Sequence, residues 1–168
     1  MLYCLHQKCK GEHKIQDIKI TDFNYSLFQQ AFIEYFIEYG IALRDGGKAL
    51  WQEFNADEGN FAILRILDEK EVIGFILCQS ITSKSWFFEE KQGFIREFWV
   101  APAHRGRGQG SALLRLAEEH FIENNIFRMI LTTDTAERFY QKNGYQECPD
   151  IVACNKDMVF VKDTLRKI

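Results

Sequence analysis

The chain has 168 residues, of which 46% are hydrophobic and 27% charged, ordinary proportions for one folded domain with a core of its own. Lys and Arg number 21 against 24 Asp and Glu, a formal net charge of -3, which argues against a generic polyanion binder. Five cysteines, odd in number and irregularly spaced, do not make a disulfide framework, and no stretch approaches the ~20 apolar residues of a membrane span.

The elements follow in chain order. Ile15 to Ile20 reads as a short strand, with Ile18 and Ile20 alternating with polar residues. Ser26 opens a helix carrying Phe28, Ala31, Phe32, Tyr35, Phe36 and Tyr39, and Gly40 ends it. A second helix covers about Lys48 to Phe54. Phe61 to Leu67 and Val72 to Ile81 are apolar runs around the charged turn Asp68 to Glu71, which predicts an antiparallel hairpin. Phe94 to Val100 is a further strand. It feeds a glycine-rich turn, Gly106 to Gly110, and then an amphipathic helix from Ser111 to Asn124 with Leu113, Leu114, Ala117 and Phe121 on one stripe. Phe127 to Leu131 is a strand, Thr135 to Lys142 a helix stopped by Asn143-Gly144, and Tyr145 to Glu147 with Met158 to Val161 a final strand pair. The expected fold is α+β, a central mixed, mostly antiparallel sheet flanked by helices, in a single domain over residues 1–168. Residues 1–14 have no clear role. Met1 to Gly11 lacks the apolar stretch of a signal peptide, so the expectation is a soluble, cytoplasmic protein without membrane or nucleic-acid partners.

The segment from Glu97 to Ser111 carries the chemistry. Glycines at 106, 108 and 110 allow positive φ and a close ligand approach. Consecutive backbone N–H groups at the positive end of a helix dipole make an anion site, and Arg105 and Arg107 add mobile positive charge. Phosphate or pyrophosphate is the natural ligand. No Gly-Lys-Ser or Gly-Lys-Thr follows the turn, so it is not a P-loop. Gly106-x-Gly108-x-x-Ser111 lacks the last glycine of a dinucleotide fingerprint, and the hairpins before it do not suggest doubly wound units, although Asp134 lies near the end of the next strand.

Arg105-x-x-Gly108-x-Gly110, preceded by Val100-Ala101-Pro102, resembles the acyl-CoA pyrophosphate motif of the GNAT superfamily of N-acetyltransferases. Downstream, Ala136-Glu137-Arg138-Phe139-Tyr140-Gln141-Lys142-Asn143-Gly144-Tyr145 resembles that family's Ala-x-x-Phe-Tyr-x-Lys-x-Gly-aromatic segment. The resemblance covers the element order from about Ile15 to Val161. It implies transfer of an acetyl group from acetyl-CoA, as co-substrate, to a primary amine, borne by a small molecule or a peptide. It implies no metal and allows a homodimer.

The resemblance also carries roles to named residues. Arg105, Gly106, Arg107, Gly108, Gln109, Gly110 and Ser111 would anchor the pyrophosphate. Phe98, Trp99 and Val100 would run beside the pantetheine arm, with the Val100 N–H polarising the thioester carbonyl and the Phe98 and Val100 side chains serving as core. Phe139 would pack beside Tyr140, the candidate proton donor to the departing thiolate; a phenol of pKa about 10 stays protonated near neutrality. Glu97, facing away from Phe98 and Val100, is a candidate for removing the amine's proton, or else a partner for Arg96. The family often has Asn where this chain has Thr133, which can still hydrogen-bond. His104 is expected to be solvated.

Two alternatives stay open on these residues: a non-catalytic CoA- or nucleotide-binding sensor of the same fold, and a nicotinamide-dependent oxidoreductase. Cys4, His6, Cys9 and His13 do not match the usual zinc spacings. The aromatic run from Phe28 to Tyr39 is a core stripe, some of which would border the acceptor.

Overall fold

The computed structural model describes residues 13–164. Cys4, His6 and Cys9 lie outside them. Among the described residues, seven strands form a mixed, mostly antiparallel sheet with four α-helices on its two faces, the arrangement expected from the sequence. The elements are β1 (Ile15–Ile20), α1 (Ser26–Glu38), α2 (Lys48–Ala56), β2 (Asn60–Leu67), β3 (Glu71–Lys84), β4 (Glu89–Val100), α3 (Gln109–Glu123), β5 (Arg128–Thr133), α4 (Glu137–Lys142), β6 (Gln146–Glu147) and β7 (Met158–Asp163). The strand order is β1-β2-β3-β4-β5-β7-β6, antiparallel except where β4 meets β5.

β2, β3 and β4 follow one another as hairpins across short turns, whereas β1 pairs antiparallel with β2 only after a connection that carries α1 and α2. β2 is buried along most of its length and β3 from Val72 to Cys78, as strand segments with both faces covered must be. On one face lie α1 and α2. Phe28 and Phe32, one turn apart, pack with Trp51, Phe54 and Phe75. On the other face Leu113, Leu114, Ala117 and Phe121 of α3 cover Phe61, Ile76 and Met129.

Two differences from the sequence reading concern β3 and β4. Their hairpin extends to Lys84 and begins again at Glu89, well beyond Ile81 and before Phe94. The segment Glu89 to Gln92 looks like a loop because it is polar. It is a strand because each residue has a partner on β3 and both faces there meet water.

The second difference is a bulge. Cys78 pairs with Ile95, but Leu77 pairs with Glu97, so Arg96 is one residue too many on β4. The extra residue reverses the facing of all that follows. Ile95 points to the α3 side, whereas Trp99 joins the α1 side, with Phe98 and Val100 now facing α3. Pairing of β4 with β5 ends at the same place, at Ile95 and Leu131. From Glu97 to Val100 the two parallel strands are no longer hydrogen-bonded to each other.

Gly93 fixes the approach of α3. A Cβ there would lie 2.8 Å from the Phe121 ring. Gly93→Ala is therefore expected to destabilise the fold by about 1–3 kcal/mol, a fall in Tm of roughly 2–12 °C for a domain of this size, measured by thermal unfolding. An unchanged Tm would mean that the helix can back away freely.

Candidate active site

The backbone of β4 sets the geometry. The Ala101 N–H donates to the Ile73 carbonyl at 2.9 Å, which makes that pair a hydrogen-bonded one. By alternation Trp99 and Glu97 also turn their backbone groups toward β3, and Phe98 and Val100 turn theirs the other way, into the gap beside β5. The Val100 carbonyl accepts from Arg105 Nε at 2.8 Å, consistent with that direction.

After β4 the chain makes a single 3₁₀ turn at Pro102–His104 and then the glycine turn. Gly106 and Gly108 both have positive φ, 71° and 79°, and a Cβ on either would meet no atom of the described residues within 4 Å. Gly108 is the N-cap of α3, and the first helical bond runs from the Ala112 N–H to its carbonyl. The N–H groups of Gln109, Gly110 and Ser111 therefore have no carbonyl below them in the helix, and no acidic residue sits in this first turn. Such an end favours an anion. Gly110 serves packing: a Cβ would lie 3.3 Å from the Phe139 ring.

A cleft of about 440 Å³ opens here. It is lined by Phe98, Trp99, Val100, Arg105, Gly106, Gly108, Gln109, Gly110, Ser111, Phe139 and Tyr140, all singled out from the sequence, and also by Ala136 and Lys142. Phe98 and Phe139 are in ring contact, 5.6 Å between centroids. Lys142 was legible as part of the second motif but carried no role there.

Of the other candidates, Arg107, Thr133 and Glu97 do not line this cleft. Arg107 is exposed and does not line the cleft. The Thr133 hydroxyl accepts from the Ala136 N–H at 3.0 Å and the Thr135 N–H at 3.4 Å, so it caps the entry to α4. Arg105 is held rather than mobile. One of its terminal nitrogens donates to both carboxylate oxygens of Glu38, at 2.7 and 2.8 Å, and Trp99 Nε1 donates to Glu38 as well, at 2.8 Å. These bonds keep the Glu38 carboxyl below its ordinary range, Trp99 first and Arg105 next. His104 is mostly covered and lies 3.6 Å from Glu71, not free in solvent.

Tyr140 is 6% exposed, its ring against Phe139, Tyr145 and Phe160. Among the described residues nothing takes up its hydroxyl, and the residue lines the cleft. Burial pushes the phenol up, aided by Cys78, Glu97 and Tyr39. Glu97 stands on the α1 side, and its partner is Tyr35, whose hydroxyl donates to Oε2 at 2.6 Å. Burial raises the Glu97 carboxyl, while Tyr35 and Arg96 pull it down. Arg96 itself turns to Asn60 and Glu53. Tyr35 and Tyr39, at 5.3 Å between rings, complete this side. Sequence pattern alone placed them on a core stripe; the link to Glu97 spans 62 positions and has no local signal.

The model for the acetyltransferase (GNAT) family matches residues 21–145. The chain is similar to an acetyltransferase of the GNAT family from Staphylococcus aureus Mu50, with TM-score 0.70 and 18% identity over 90% of this chain and 100% of that one. A predicted acetyltransferase from Clostridium acetobutylicum, solved with acetyl-CoA, gives TM-score 0.70 and 20% identity over 84% and 96%. The PaiA N-acetyltransferase of Thermoplasma acidophilum, in complex with coenzyme A, gives 0.65 and 17% over 89% and 99%. At such identities the likeness to these structures establishes a shared fold.

Proposed function

Because the chain belongs to the GNAT family of acetyltransferases, we propose that it moves the acetyl group of acetyl-CoA to a primary amine by direct attack within a ternary complex. The observation that carries this reading is the inner edge of β4 left unpaired by β5, at Phe98 and Val100, running into a positive-φ glycine turn, with Tyr140 lining the same cleft. The turn and the N–H groups of Gln109, Gly110 and Ser111 receive the pyrophosphate. Phe98 and Val100 hydrogen-bond the pantetheine arm as an added strand would, and the Val100 N–H polarises the thioester carbonyl. Glu97 takes the proton that the attacking nitrogen loses, directly or through water. The N–C bond forms, the C–S bond breaks, and Tyr140 supplies a proton to the sulfur. Hydrogen lost at nitrogen balances hydrogen gained at sulfur. Burial keeps Tyr140 protonated at every working pH, and the same desolvation makes a thiolate beside it more basic. The proposed acceptor enters from the side of Tyr35, Tyr39 and Glu97.

Release of free thiol from acetyl-CoA across a panel of small amines and peptides tests the reading. Amine-dependent release is expected. CoA binding without turnover on any amine would leave a sensor of the same fold.

Tyr35 predicts a further outcome. A base works only when deprotonated, so the acidic limb of the kcat/KM profile follows the Glu97 carboxyl. Tyr35→Phe removes the bond that holds this carboxyl down, and its pKa then rises further. The limb is expected to move to higher pH, with rate lost at low pH and recovered as pH increases. Glu97→Gln should lose rate mainly at lower pH, where unprotonated amine is scarce, and recover as pH rises. Profiles of both variants that overlay the parent's would remove the pair from the proton path.

A further inference from the structure

Two apolar surfaces lie uncovered at opposite ends of β4. The first is the tip of the β3–β4 hairpin. From the pair Ile81–Gln92 to the pair Lys84–Glu89 neither strand has an outer neighbour among the described residues, and nearly all of the segment from Ile81 to Gln92 is exposed. The turn at its end is well built. The Ser85 N–H donates to the Phe88 carbonyl at 2.9 Å, and the Ser85 hydroxyl oxygen accepts from the N–H groups of Phe87 and Phe88 at 3.3 and 3.2 Å. This turn holds out Trp86, Phe87 and Phe88, which are 98%, 95% and 66% exposed. The second surface is Ile37, Tyr39 and Ile41, exposed where α1 ends. Glu38 ties that end to Trp99 and Arg105, and Tyr39 packs on Tyr35, so the patch borders the amine side of the cleft.

Charge and area select the occupant. The tip carries Lys84 and Lys91 against Glu89 and Glu90, and both lysines are ion-paired to Glu89. It lacks the basic collar that holds a protein to an anionic lipid surface. Three such rings offer on the order of 500 Å². The α1 patch adds a smaller area, and a stable protein interface takes about 800 Å² from each partner. Neither surface suffices alone; together they reach that size. Because they sit at opposite ends of one strand, a two-fold axis that lays two copies side by side and antiparallel brings each tip to the other's patch, using both surfaces on both copies.

We propose that the protein is a two-fold dimer in which the Trp86-Phe87-Phe88 tip of one copy packs on Ile37, Tyr39 and Ile41 of the other. The partner's Trp86 then walls the acceptor side of the cleft. That last assignment rests on the function proposed above, whereas the dimer does not.

Sedimentation velocity of the full chain over a concentration series tests it, with the parent, the Trp86→Ser/Phe87→Ser variant and the Ile37→Glu/Ile41→Glu variant. A dimeric parent and two monomeric, folded variants are expected. Trp51 and Trp99 are buried, so Trp86 reports on the tip: its emission should be red-shifted in the α1 variant relative to the parent. The acceptor KM should rise several-fold in both variants with the acetyl-CoA Kd unchanged. A parent that stays monomeric throughout, or a dimer that survives both pairs of substitutions, overturns the proposal. So does a monomeric parent that floats with phosphatidylcholine vesicles through Trp86, which would assign the tip to lipid. A dimer with the expected mutational response but no turnover on any amine would sink only the acceptor wall.

Discussion

Tyr140→Phe is expected to lower kcat by on the order of 10²–10⁴ while leaving the acetyl-CoA Kd nearly unchanged. The substitution removes one oxygen and keeps the ring among Phe139, Tyr145 and Phe160. No hydrogen bond within the protein is lost, because among the described residues the hydroxyl makes none, so the Tm should hold. The proposed pyrophosphate anchor lies on a different element, the start of α3. A fall in kcat at constant cofactor affinity is the signature of an interaction made only in the transition state. Pre-steady-state mixing and equilibrium CoA binding measure the two quantities separately. Full turnover in the variant would make water the proton donor. A collapse in stability would instead mean that the hydroxyl is a structural group.

Gly108→Val acts on binding. At φ 79° a β-branched residue adopts a conformation that L-residues avoid, at roughly 1–2 kcal/mol, which a domain of this size survives. A Cβ at Gly108 points into open space, and the residue lines the cleft, so the two methyl groups stand where a ligand must approach the backbone. Losing one or two charge-assisted hydrogen bonds from the turn is worth on the order of 10–100-fold in CoA affinity. Titration calorimetry on the folded variant checks this. Unchanged affinity would move the pyrophosphate away from the turn.

Much of this architecture is written locally. The stripe Leu113, Leu114, Ala117 and Phe121 specifies a helix and its buried face at once. The alternate glycines specify a turn that can present backbone to a ligand. What stays hidden depends on pairing between distant segments. Arg96 is an ordinary strand residue in sequence, and only the register against Leu77 and Cys78 makes it a bulge. Gly93 falls just outside the strand read from the sequence, and its role appears only when Phe121 is seen against it. Arg105 reads as a free cation because Glu38 is 67 positions away. The polar run at Glu89 to Gln92 hides a strand because its partner supplies the order that composition does not.

The bulge at Arg96 also sets what this strand tolerates by way of insertion and deletion. Side chains before and after it are out of phase, so β4 furnishes two chambers, one through its backbone edge with Phe98 and Val100, the other through Glu97 and Trp99. Paired additions to, or deletions from, both arms of the hairpin on the tip side of Gln92 would lengthen or shorten the ribbon and leave that phase alone. Loss of the single residue at 96 would restore a regular ladder and carry the linings of the two chambers through the sheet, each into the other's place.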